Sequence, residues 1–221
     1  GTALLILYPI SLLISRAKSG PQPKHAKMWL IVGIVLTVGL WTLFKANKEF
    51  KLPFLDGTTA GARLAALFGF SYFLFKAINF LYMQYLVELP RRGPQHVLYY
   101  SLFLPTLTSG PIQKYVEFSK ETDAQRVVSL DDAASAVYRI TKGYFFKVCL
   151  ASWLTSLSDT LVLANNPTAY HSLAAIVSLY LQFFFDFAGY SHIAIGFGML
   201  LGIRVPENFR QPFLATTIAE F

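Results

Sequence analysis

The chain has 221 residues, of which 54% are hydrophobic and 14% are charged, and its formal net charge is +7. This composition excludes an ordinary soluble domain and indicates a polytopic membrane protein, whose basic excess collects in cytoplasmic loops. No basic run is interleaved with aromatic residues as in a nucleic-acid interface, so we expect no nucleic-acid partner. The single cysteine, Cys149, excludes a disulfide framework and a cysteine-based metal site within the chain.

The first part of the chain predicts two apolar helices separated by a basic loop. The apolar run 3–14 is short for a membrane span, which takes about 20 residues, and it lacks the charged start of a signal peptide. The loop from Arg16 to Lys27 is rich in lysine, so we expect it in the cytoplasm. The span 28–44 carries no charge. The loop 45–63 would then be external, although its lysines argue against that side.

A third span is predicted over residues 62–89, and it carries Lys76 and Asn79 among aromatic residues. We expect Lys76 to act structurally, either reaching the membrane surface or meeting a carboxylate. The span ends at Arg91 and Arg92, which favour a cytoplasmic end.

The next segment, HVLYYSLFLPTLTSGPI over residues 96–112, is interrupted by Pro105 and by Gly110-Pro111. Charged loops flank both of its ends. It therefore predicts a re-entrant segment, which enters and leaves the membrane on one side. The alternative is an ordinary span kinked at Pro105.

The polar stretch 114–132 is predicted to be cytoplasmic and to lead into a long helix. Ser129, followed by Asp131 and Asp132, suits a helix N-terminus. The helix begins amphipathic and becomes apolar through Val162. It crosses outward to an external loop at 165–171, which lacks lysine and arginine.

The last apolar segment starts at Leu173 and carries Asp186 near its middle. A carboxylate at membrane depth costs roughly 2.5 kcal/mol or more, so it must pair, protonate or face a wet cavity. Gln182 and Tyr190 lie four residues to either side and share its helix face. These side chains either line a polar cavity or fix a neighbouring helix.

Other residues of this segment give weaker signals. His192 lies off the Asp186 face, and it is either a proton-transfer group or a hydrogen-bonded residue at a helix contact. The four histidines have no zinc-site spacing, so no metal site is expected. Gly198 and Gly202 form a small-xxx-small pair that permits close helix packing. The following PENFRQPF predicts a fixed loop near the membrane boundary.

The stretch FFFDFAGYSHIAIGFGMLLGIRVPENFRQPFLATTIAEF resembles the signature of the membrane-bound O-acyltransferases, nearest to the branch of alginate O-acetyltransferase. His192 stands where that pattern usually has Asp. An earlier element resembles the family's GPI-x-x-Y-x-x-F, with Tyr115 and Phe118 in place. The residues that match the structural motifs are Gly110, Pro111, Pro206, Glu207, Asn208 and Phe209.

The resemblance implies an all-α, multi-pass membrane fold, with residues 1–221 forming one partial transmembrane domain that is truncated at both ends. It implies no catalytic residue within the chain, because the family's histidines would follow Phe221. The candidates for lining its tunnel are Gln182, Asp186, Tyr190, Ser191 and His192.

The implied activity is transfer of an acetyl group to hydroxyls of an exported polysaccharide at the bacterial inner membrane. The expected partners are the lipid bilayer, the polysaccharide acceptor and accessory acetylation or export proteins. No cofactor is expected to stay bound, and the acyl donor, acetyl-CoA or another carrier, would be a co-substrate. One alternative is transfer of D-alanine or another acyl group to a cell-envelope polymer. A transporter or channel with Asp186 on its path is the alternative from another class.

Overall fold

A computed structural model of the protein describes residues 2–19, 24–50, 70–87, 89–90, 92–107, 110–163 and 168–209. Every regular element in these ranges is helical, which confirms the all-α prediction. Residues 45–50 of the predicted loop 45–63 are helical, because the preceding helix extends to Phe50, and residues 51–63 lie outside the described residues. Arg91, residues 165–167 and the motif residues from Arg210 to Phe221 also lie outside them. The helices are α1 (Thr2–Lys18), α2 (Lys24–Phe50), α3 (Phe70–Leu86), α4 (Pro94–Ser101), α5 (Tyr115–Asp123), α6 (Leu130–Tyr144), α7 (Ser152–Val162) and α8 (Ala169–Leu200).

Within the described ranges, two segments are long and apolar enough to cross a bilayer, judged by length and composition. They are Lys24–Leu43 in α2 and the whole of α8. Both coincide with predicted spans. Helix α3 lies inside the third predicted span but reaches only 17 residues. The number of membrane crossings therefore stays a prediction.

Residue contacts divide the chain into two units, and the single-domain prediction stays a prediction. The first unit comprises residues 1–108 and 112–123, and the second comprises 109–111 and 124–221. In the first unit α1 packs against α2 and α3. Leu7, Ile14 and Leu81 are completely buried there.

The segment predicted to be re-entrant is indeed interrupted. Helix α4 starts with Pro94, where a missing N–H costs no hydrogen bond, and it ends at Ser101. A short 3₁₀ turn, Leu104–Thr106, then contains Pro105. A continuous helix kinked at Pro105 is therefore wrong, because the helix stops before the proline. Its path relative to a membrane remains a prediction.

Buried polar groups hold α3, α4 and α5 together in the first unit. The Lys76 ammonium donates to the backbone carbonyl of Tyr100 at 3.1 Å and lies over the Tyr100 ring. Asn79 accepts from the backbone N–H of Tyr115 at 2.9 Å. The Tyr100 hydroxyl donates to the carbonyl of Gln113 at 2.8 Å. The structural role expected for Lys76 is present, with a carbonyl oxygen rather than a carboxylate as its acceptor.

In the second unit, α6 and α7 are joined by a π-helical segment, Phe145–Ala151. The chain is therefore helical without a break from Leu130 to Val162. Ser129 caps α6 as predicted: its hydroxyl accepts from the N–H of Asp132, whose carboxylate accepts from the N–H of Ser129. Thr168 and His171 form the corresponding capping box at the start of α8. Both helices thus begin with their first N–H groups satisfied.

Glycines let the backbones of α6 and α8 touch. A Cβ added to Gly143 would lie 2.5 Å from the carbonyl oxygen of Gly189, and one added to Gly189 would lie 2.7 Å from that of Gly143. A Cβ on Gly196 would lie 2.7 Å from the carbonyl oxygen of Ala136. No side chain fits at such distances, so these glycines set the helix crossing.

The small-xxx-small prediction for Gly198 and Gly202 is wrong. Gly202 lies beyond the end of α8 with a φ of +69°. Its N–H donates to Met199, and the N–H of Ile203 donates to Gly198, which together form a Schellman cap. Gly198 faces Val205 and Ile203 of the returning chain, not another helix. The glycine pair ends α8 and turns the chain back along it.

Candidate functional site

An ion pair connects the π-helical segment with the middle of α8. The ammonium of Lys147 donates to the carboxylate of Asp186. The two side chains are 40% and 48% exposed within the chain itself. A paired carboxylate in an apolar helix keeps its charge at a much lower cost than an isolated one. The sequence left three possibilities for Asp186, namely pairing, protonation or a wet cavity, and the structure shows a pair with Lys147.

The helix irregularity positions Lys147. The π-helical segment lies where α8 passes at Gly189: a Cβ on Gly189 would lie 2.9 Å from the backbone nitrogen of Lys147. A π-helical stretch inserts extra backbone into a turn and shifts the side chains that follow it, and such stretches are frequent at functional sites. Sequence reasoning missed this feature. The available signal was a lysine in one apolar segment and an aspartate in another.

The PENF loop folds back onto α8. The Asn208 side-chain amide donates to the Ser191 hydroxyl at 3.1 Å, and that hydroxyl donates to the carbonyl of Phe187 at 2.9 Å. The Phe209 ring packs edge-on against Phe184 and Phe187 at 5.4 Å from each. The predicted motif residues Ser191, Asn208 and Phe209 therefore act together, and they hold the returning chain against α8.

A second ion pair ties the same loop to α6. The Arg139 guanidinium contacts the Glu207 carboxylate at 2.5 Å, with both side chains about one-third exposed. Pro206 follows the buried Val205 and restricts the backbone just before Glu207. The PENF loop is thus held by α8 through Asn208 and by α6 through Glu207. This arrangement makes it a rigid element of the second unit.

His192 lies apart from Asp186, as its position in the helix predicted. Its ring packs on Phe146 at 5.7 Å. It lines an open groove of about 500 Å³ with residues of α6. The Nδ1 atom is buried and makes no hydrogen bond in the described part of the chain. The structure has the helix contact that was predicted for this histidine. The predicted hydrogen bond is not made by Nδ1 within the described residues.

The other predicted site and motif residues lie on α8 or in the link that follows the 3₁₀ turn. Gln182 and Tyr190 are partly buried on α8, one turn to either side of Asp186. Gly110 and Pro111 are buried in the link that follows the 3₁₀ turn. The described residues contain no group of three or more His, Cys, Asp or Glu side chains suited to a metal ion.

This helical unit, with an ion pair in the middle of its apolar helix α8 and a PENF loop held by two helices, agrees with the family comparison. Residues 92–221 match the family model of the membrane-bound O-acyltransferases, MBOAT, and the chain belongs to that family. The match covers both the Asp186 helix and the loop after it.

Named relatives fall into two groups. The probable alginate O-acetylase AlgI of Pseudomonas aeruginosa is 30% identical over 97% of this chain and 42% of its own length. The corresponding protein of Pseudomonas syringae is 27% identical over the same shares. The teichoic acid D-alanyltransferase of Bacillus subtilis is 32% identical over 72% of this chain and 41% of its own length. The chain thus spans less than half the length of the curated relatives it matches.

Proposed function

We propose that this chain is part of a multi-pass bacterial inner-membrane acyltransferase that moves an acetyl group onto hydroxyls of an exported polysaccharide. The observation that carries the proposal is the similarity to alginate O-acetylases over 97% of the chain, joined to the family match over residues 92–221. The fixed PENF loop and the paired Asp186 support it, because acyl transfer requires donor and acceptor held in line.

Three of the histidines have described contacts. His96 contacts the Tyr115 hydroxyl and Thr122 hydroxyl through its two ring nitrogens, each at 3.1 Å. His171 caps α8, and His192 faces the groove beside α6. On the family resemblance alone, we propose that a histidine of the full-length protein outside these 221 residues deprotonates the acceptor hydroxyl. The residues of this chain would position the reactants.

The remaining parts of the proposal concern membrane and partners. We propose that residues 96–112 form a re-entrant segment, since its interrupted backbone is tolerated at membrane depth only when protein or water satisfies it. The acyl donor, acetyl-CoA or another carrier, would enter as a co-substrate, with no permanently bound cofactor. Accessory acetylation or export proteins would complete the system.

Transfer of D-alanine to a teichoic acid is the second candidate, because D-alanyltransferases match 72% of the chain at 32% identity. Deleting the full-length gene and measuring ester-linked acetate and ester-linked D-alanine on the envelope polymers separates the two. Loss of acetate that the intact gene restores supports the proposal, whereas loss of D-alanine favours the second candidate. A defect in solute uptake with both esters unchanged would favour a transporter instead.

A further inference from the structure

The groove beside His192 is lined by an unusual set of hydrogen-bond donors. Four of them lie on one face of α6, each three or four residues from the next turn's member: Ser135, Tyr138, Arg139 and Lys142. His192 faces them from α8. The groove is open on one side and has a volume of about 500 Å³.

The charge of the groove is incompletely balanced. Glu207 contacts the Arg139 Nη2 atom, while the Nη1 atom of the same guanidinium is buried and makes no hydrogen bond within the described residues. Lys142 lies over the Phe146 ring at 5.4 Å and has no carboxylate partner among the described residues. The two cationic side chains, Arg139 and Lys142, therefore face one acid, Glu207. The His192 Nδ1 atom is also unpaired within the described residues.

The groove also lies near the predicted membrane boundary. Helix α6 begins in the polar stretch, where Leu130 is 90% exposed, and the groove lies along residues 134–142 of this helix. Tyr138, which is 68% exposed at the rim, is the type of residue that favours the headgroup level of a bilayer. An anionic group would meet the groove at that level.

We propose that this groove binds a phosphate group, held by Arg139 and Lys142 and by the hydroxyls of Ser135 and Tyr138. A tetrahedral anion with several acceptor oxygens matches the donors that these four side chains present along one face of α6, and charge-assisted hydrogen bonds to it are strong. The phosphate belongs either to a lipid headgroup or to a water-soluble compound. The proposal does not depend on acyl transfer.

Binding is measured with the full-length protein by thermal denaturation in two arms. One arm compares nanodiscs of phosphatidylglycerol with nanodiscs of phosphatidylcholine, and the other titrates inorganic phosphate in phosphatidylcholine nanodiscs. The Lys142→Gln variant removes one cation from the groove without touching the Arg139–Glu207 pair. Lys120→Gln, at an exposed position of α5, removes the same charge elsewhere and serves as the matched control.

We expect the ligand to raise the melting temperature of the unaltered protein. Lys142→Gln should lower the apparent affinity for the ligand about tenfold, because it removes one charge-assisted hydrogen bond. Lys120→Gln should bind like the unaltered protein. A response confined to phosphatidylglycerol identifies a lipid headgroup, and a response to inorganic phosphate identifies a soluble compound. If neither ligand raises the melting temperature, or if Lys120→Gln weakens binding as much as Lys142→Gln, the proposal is wrong. Ser135→Ala, a smaller change, gives the same test should Lys142→Gln not fold.

Discussion

The Lys147 ammonium donates to the Asp186 carboxylate, and the pair joins a π-helical segment to the centre of the longest apolar helix in the described residues. Gly189, three residues after Asp186, brings the two backbones into contact. The close approach and the charge pair are therefore parts of one helix crossing. Its disruption should affect both folding and activity.

We expect Asp186→Ala in the full-length protein to lower both thermal stability in detergent and polymer acylation in cells. The substitution leaves the Lys147 ammonium without its acceptor, at a cost of about 1–3 kcal/mol. Asp186→Asn should mostly retain folding, because one side-chain oxygen still accepts a hydrogen bond. If Asp186→Ala leaves stability and acylation unchanged, the ion pair contributes nothing.

Lys147→Met should destabilise the protein to a similar degree as Asp186→Ala, since each leaves one charge unpaired. The double variant should then be more stable than the sum of the two single effects predicts. A double-mutant cycle with a coupling energy of about 1 kcal/mol or more confirms the pair. Strict additivity would mean that the two side chains act independently.

Gly189→Ala should lower the melting temperature, because the added methyl group would meet the Gly143 carbonyl at 2.7 Å. Overpacking of this kind costs roughly 1–3 kcal/mol. Gly39→Ala on α2 is the matched control, since its Cβ meets nothing within 4 Å. It should be neutral or slightly stabilising, because alanine favours helix. Equal losses for both variants would contradict the close crossing.

Asn208→Ala should reduce acylation more than stability. It removes the hydrogen bond to Ser191, worth about 1 kcal/mol, and so loosens the PENF loop without opening the helix crossing. Ser191→Ala should give a similar reduction, because it removes the other partner. Cellular acylation is compared with the melting temperature of each variant. Full acylation with Asn208→Ala would show that the loop does not need this connection.

The stability of the first unit should fall in acid through Asp123. The hydrogen bond from Arg92, together with its positive charge, lowers the pKa of the Asp123 carboxyl below its ordinary value. A lowered folded-state pKa means that the stabilisation is present above the ordinary pKa of about 3.9 and is lost as the pH falls through the folded-state pKa. Melting temperatures are measured from about pH 6 downward through this range. Asp123→Asn should lack that part of the acid dependence, and an unchanged profile would contradict it.

Membrane topology is tested by thiol labelling. After replacement of Cys149, a cysteine at Lys120 should be protected from a membrane-impermeant reagent in intact cells, because the basic loops are predicted to be cytoplasmic. A cysteine at Asn166, which lies outside the described residues, should be labelled. The reverse pattern would show that the predicted orientation is inverted.

The sequence by itself determined the class of this protein. Long apolar segments with few charges indicated a membrane protein, and the resemblance to the membrane-bound O-acyltransferases implied the all-α fold. A charge in the middle of an apolar segment had to pair, protonate or face a wet cavity, so Asp186 was identified as special before any contact was known. The capping of α6 by Ser129 was also predictable, because its partners lie three residues away in the chain.

Only the tertiary structure decided which residues meet across helices. Lys147 became the partner of Asp186 because a π-helical segment and the Gly143–Gly189 contact set the register between α6 and α8. The apolar sequence of these helices allows several registers, since hydrophobic surface has no directional preference. The prediction of a helix-packing pair at Gly198 and Gly202 was wrong for a different reason. The spacing of two glycines is the same in a helix contact and in a helix end, and only the positive φ of Gly202 distinguishes them.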